Sequence, residues 1–118
     1  MNEKYQRYIE FIANDLQPPY FENMKDSYGL KDSEYSLVLS KLFNDPVEIL
    51  GTAVYSIKDR KLLYNEDNDG YWSIKKYDKQ NNLISNETST GHWEKYGYDK
   101  EGNMTYRENR SGYIRNYR

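Results

Sequence analysis

The sequence predicts an α+β chain, with short N-terminal helices packed on an antiparallel β-meander built from 21-residue repeats. Two observations carry that prediction. Gly70, Gly91 and Gly112 open three similar stretches, Trp72, Trp93 and Ile114 form an apolar column, and Tyr77-Asp78 returns as Tyr98-Asp99. A fixed period of this length marks a supersecondary unit stacked on itself. The second observation is a change of hydrophobic spacing near Gly51, from steps of three and four to alternation. Half of an earlier copy stands upstream, because residues 62–66 match 83–87 and 104–108, so Glu66, Glu87 and Glu108 share one position. Residues 1–118 are read as one domain, with 1–51 its helical part and 52–118 its repeat sheet.

Each element has a local reason. Over residues 3–16, Tyr5, Tyr8, Ile9, Ile12 and Leu16 fall on one helical stripe, and Pro18-Pro19 ends it. Residues 21–28 form a shorter helix closed by Gly29. Asp32 or Ser33 is expected to cap a third helix through Phe43, carrying Leu37, Leu39 and Leu42. Asp45-Pro46 predicts one more helical turn, stopped by Gly51. Strands follow at 52–57, 61–66, 71–77, 83–87, 92–98, 104–108 and 113–117, giving a sheet of five to seven. Tight turns favour antiparallel hairpins, with Gly102 and its counterpart Asn81 supplying positive φ.

Alternation places Trp72, Ile74, Trp93 and Ile114 on one face. Tyr71, Tyr77, His92, Glu94, Tyr96, Tyr98, Tyr113, Arg115 and Tyr117 take the other. The helical part has enough apolar stripe to cover the first face over the earlier strands, with less left for the later ones.

Composition bounds the partners. Net charge is −2, split as 5 basic and 9 acidic groups in residues 1–50 against 12 and 10 in 51–118. Neither part has the dense basic face of a strong nucleic-acid binder, and DNA is excluded as a partner. The 14 tyrosines stand in for aliphatic core material, since the ring packs while the hydroxyl stays hydrogen-bonded. Absence of cysteine rules out disulfides and thiolate metal sites. A polar N-terminus and the lack of a long apolar run argue against a signal peptide or a membrane partner.

No nucleophile with a base, phosphate-cradling loop or metal-ligand cluster stands out, so no catalytic residue, cofactor or metal is expected. His92 replaces the tyrosine of the other copies and reads as a strand-face aromatic. Asn65, Asp67, Asp69 and Gly70 imitate a calcium loop, but its twelfth position is Lys76 instead of glutamate. Tyr and Arg favour protein contacts, because each joins large area to directional hydrogen bonds. The expected partner-binding residues are therefore Tyr71, Tyr96, Tyr98, Tyr113, Arg115 and Tyr117. RNA stacked among Arg107, Arg110, Arg115 and Arg118, or sugar rings on the Trp and Tyr rows, are the alternatives.

Residues 55–118 resemble tandem Gly-Tyr-Trp … Tyr-Asp-x-x-Gly-Asn … Glu-Asn-x-x-Gly repeats of small bacteriophage and mobile-element proteins, notably of Bacteroidota. The match is carried by Gly91, Trp93, Tyr98, Asp99, Gly102, Asn103, Tyr106, Glu108, Asn109 and Gly112. More distantly, they resemble YD repeats and aromatic cell-wall-binding repeats. Asn81, Ser85 and Ile114 depart from the pattern. The resemblance implies a non-enzymatic inhibitor of a host defence system acting in the bacterial cytoplasm. An anti-CRISPR protein against a type VI RNA-guided RNase fits it, with the nuclease as protein partner. The acidic helical part offers a second way to dock, on a basic guide-RNA channel.

Overall fold

The computed structural model describes residues 3–116. Residues 3–43 hold α1 (Glu3–Asp15), α2 (Tyr20–Asp26) and α3 (Asp32–Phe43). In α1, Ile9 and Ile12 are buried with Leu16 just beyond it, as the stripe requires, whereas Tyr8 is exposed. The cap of α3 differs from expectation. Asp32 already lies in the first turn, and the Glu34 carboxylate folds back to accept the Lys31 N–H at 2.9 Å. Val38 and Leu39 are the buried residues of α3, while Leu37 faces out.

Residues 46–51 are not helical. Val47–Leu50 form a strand, β1, which turns through Gly51 and Thr52 to pair with β2 (Ala53–Ser56). Val47 and Ile49 alternate with Glu48, and that period of two outweighs the helix-start signal of Pro46. The positive φ of Gly51, 64°, serves a hairpin turn instead of a helix end.

The remaining strands are β3 (Leu62–Glu66), β4 (Trp72–Tyr77), β5 (Leu83–Thr88), β6 (Trp93–Tyr98), β7 (Met104–Asn109) and β8 (Ile114–Asn116). All eight lie in one sheet in chain order, each antiparallel to the next. The expected α+β meander is therefore present, with one strand more than the predicted maximum. The turns into β3, β5 and β7 place Arg60, Asn81 and Gly102 at positive φ (54°, 64° and 85°). Each of these strands then carries an unpaired residue: Leu63, Ile84 and Thr105 are skipped where Val54 meets Tyr64, Lys76 meets Ser85 and Gly97 meets Tyr106.

The core lies over only half of this sheet. Ile12, Met24, Val38 and Leu39 from the helices meet Val54 and Tyr64, and Trp72 and Ile74 of β4 form its border. The later strands extend beyond it. Extents of 52 × 30 × 23 Å and a radius of gyration of 16.1 Å follow, against roughly 13.5 Å for a compact chain of this length. Among the described residues, no helix is long and apolar enough to cross a membrane.

Candidate functional site

Antiparallel partners share a face, so the register sorts the uncovered strands. Glu66, Glu87 and Glu108 pair with Trp72, Trp93 and Ile114 on the helix-side face. Glu94 and Tyr96 lie on the opposite, tyrosine face, where Tyr96 pairs with Arg107 and Arg107 with Arg115.

The tyrosine face has an organised centre at Arg107. Its Nη2 donates to Glu94 Oε1 at 2.9 Å, and its guanidinium stands 6.0 Å and 5.9 Å from the ring centroids of Tyr96 and Tyr113. Tyr96 donates its hydroxyl to the second Glu94 oxygen, and His92 Nε2 approaches the first at 3.7 Å. Bonds from Tyr96 and Arg107 hold the Glu94 carboxyl below its ordinary value, and burial with the Glu94 contact pushes the Tyr96 phenol up to about 12. The result is a pre-organised patch of two rings around a cation paired with a carboxylate, suited to contact.

Of the sequence-predicted residues, the structure brings Tyr96, Tyr113 and Arg115 together around Arg107. Tyr98 shares their face, but its hydroxyl is donated to the Leu83 carbonyl at 2.8 Å. Tyr71 is exposed at the start of β4, four strands from Tyr113, roughly 19 Å at ordinary strand spacing. Tyr117 lies outside the described residues, as does Arg118. Sequence reasoning missed Glu94 and Arg107 as the hub. Glu94-x-Tyr96 on one strand face was the signal that could have found them.

A second constellation was also missed, on the helix-side face. Glu66 is only 6 % exposed, and its carboxylate accepts the N–H groups of Phe21 at 3.0 Å and Glu22 at 3.2 Å. Tyr64 donates to the same carboxylate at 2.5 Å and accepts the Tyr20 N–H at 3.0 Å. Together they satisfy the free amides that open α2 and tie the helical part to β3. The pair returns on β7, where Tyr106 donates to Glu108 Oε1 at 2.6 Å. Ser85 stands in place of the tyrosine on β5, and Glu87 there is exposed.

A concavity of about 1110 Å³ lies between α2, α3 and β1. Glu22, Asp26, Asp32, Glu48 and Asp67 line it with Lys25, which makes it acidic. Among the described residues, no group of three or more His, Asp or Glu is placed to hold a metal. No protein-family model matches the chain, and no curated protein matches it either.

Proposed function

We propose that this chain is a non-enzymatic protein-binding module whose sheet is a stack of 21-residue repeats. Its role is to inhibit a host defence system, and an RNA-guided RNase of type VI is the target class that the sequence resemblance favours. The observation that carries the protein-binding reading is the cluster on the tyrosine face, opposite the helices, where Glu94 fixes Arg107 between the rings of Tyr96 and Tyr113. An aromatic surface held on a rigid sheet loses little side-chain entropy when it docks. The recurrence of positive φ at residues 60, 81 and 102 and of turn glycines at 70, 91 and 112 supports the repeat reading.

Tyr96, Tyr113 and Arg115 form the centre of the proposed contact, with Tyr98 and Tyr71 along the same face. Protein is favoured over RNA because Arg107 is engaged by Glu94 and Arg110 Nη1 donates to the Thr90 carbonyl at 3.1 Å. Sugar stacking is disfavoured where Lys95 Nζ sits 5.3 Å from the Trp93 ring centroid. The test is co-expression with active RNA-guided nucleases, scoring target cleavage and co-purification. Suppressed cleavage with a stable complex, both lost in a Tyr96→Ala/Tyr113→Ala variant that stays folded, is the expected result. Unchanged cleavage and no complex across several nuclease types would refute it.

A further inference from the structure

The helix-side face of β7 repeats, without a helix on it, the arrangement that holds α2 on β3. On β3 the parts are a tyrosine, a glutamate two residues on, and a large apolar residue across the strand pair: Tyr64, Glu66 and Trp72. On β7 they are Tyr106, Glu108 and, across the pair, Ile114. The face between is continuous, with Trp93 half-buried and Ile114 58 % exposed. Four strand spacings separate β3 from β7, roughly 19 Å at about 4.8 Å each. Helices pack about 8–10 Å apart, so a further helix has room beside the existing cover.

We propose that Tyr106 and Glu108 form a receptor for the amino-terminal turn of a helix from a partner protein. The Glu108 carboxylate would accept the first free backbone amides of that helix, as Glu66 accepts those of Phe21 and Glu22. The Tyr106 hydroxyl would hold the carboxylate in place, as Tyr64 does for Glu66. An aromatic residue in the first turn, the counterpart of Phe21, would lie toward Trp93 and Ile114. Lys95 is opposite Glu108 on this face, so an acidic residue in the same turn, the counterpart of Glu22, is the complementary choice. Gly97 keeps the cradle open, because a Cβ there would stand 3.2 Å from the Tyr106 Cβ. Glu87, without its tyrosine, is the internal contrast and takes no such role. This surface is opposite the tyrosine face, and the inference does not depend on what binds there.

The probe is a lactam-bridged helical peptide of residues 17–29, titrated into the isotope-labelled full chain and followed by NMR. The two tryptophans separate the outcomes, since Trp72 borders the site filled by α2 and Trp93, two residues from the Lys95 that faces Glu108, borders the proposed one. Saturable shifts of the Trp93 indole and the Tyr106 amide are expected, with Trp72 unmoved. Glu108→Gln and Tyr106→Phe should each weaken binding by about tenfold, the scale of one charge-assisted hydrogen bond. Glu87→Gln should bind like the parent. No binding at millimolar peptide, equal affinity in Glu108→Gln, or shifts centred on Trp72 would each overturn the proposal. Dimerisation of the chain that Glu108→Gln abolishes would assign the surface to a second copy, and so overturn it as well.

Discussion

Tyr64 and Tyr106 make the same contact in two different settings. Each donates its hydroxyl to a glutamate two residues on, at 2.5 Å and 2.6 Å. Tyr64 is 0 % exposed beneath α2, whereas Tyr106 is half-buried on a face that no helix covers. Local sequence writes the strand and the pair. The helices alone decide whether the pair becomes core or surface, and stability should divide accordingly. Tyr64→Ala should destabilise by about 3–5 kcal/mol, as large truncations at fully buried sites do. Tyr106→Ala should cost only about 1 kcal/mol. Urea unfolding of the two variants makes the comparison, and equal losses would mean that the halves are not distinct.

The glutamates sharpen it. Glu66→Gln removes the charge from two helix-opening hydrogen bonds in a buried place, and a loss of about 1.5–3 kcal/mol is expected. The same change at Glu108 should stay within about 0.5 kcal/mol, as for ordinary surface substitutions. Thermal melts of the two variants check both values.

How far the sequence showed this division can be judged residue by residue. The meander, the turn glycines and the two faces were legible because period-two spacing and positive-φ residues are local signals. The strand at 47–50 was hidden by Pro46, whose helix-start preference competes with an alternation only four residues long. Trp93 shares an apolar column with Trp72, and the expectation of less cover for the later strands holds, because the core reaches Trp72 and stops short of Trp93. In the sequence Glu66 is one of three glutamates at an equivalent position, with nothing to single it out. Its burial depends on α2, more than 40 residues away in the chain, a distance over which periodicity carries no information. The Arg107 cluster was half legible: alternation put Tyr96, Tyr113 and Arg115 on one face, but only the register centres them on Arg107.

Turn chemistry gives a smaller test across the same boundary. Arg60, at the turn before the covered strand β3, holds φ 54°, where Gly102 before the uncovered β7 holds 85°. A left-handed conformation strains a residue with a Cβ. Arg60→Gly should therefore stabilise by about 0.5–1 kcal/mol, and Gly102→Ala should destabilise by about 1 kcal/mol. Denaturant midpoints would show opposite signs, and matching signs would remove the analogy between these turns.

The smallest expected effect is an acid dependence centred on Glu94 in the uncovered half. Hydrogen bonds from Tyr96 and Arg107 lower the pKa of Glu94 from its ordinary 4.5. A carboxyl lowered in the folded state binds protons more readily when unfolded. Its contribution is therefore complete above 4.5 and fades as pH falls through the folded value. Amides of β6 and β7 should exchange faster as pH drops below 4.5, after correction for intrinsic rates, while those of β2 and β3, away from the likewise lowered Glu34 of α3, keep their protection. Glu94→Gln should flatten that acid dependence and leave the Tyr64 region unchanged. Tyr96 supplies the opposite limb. Its phenol, raised from 10.0 to about 12 mainly by burial, contributes fully below 10 and loses its contribution as pH rises toward 12. Tyr20 is raised to about 12 as well, so the alkaline limb is shared with the covered half. Acid, and only acid, should therefore loosen the open strands first; simultaneous loss of both halves on acidification would show that the sheet unfolds as one unit.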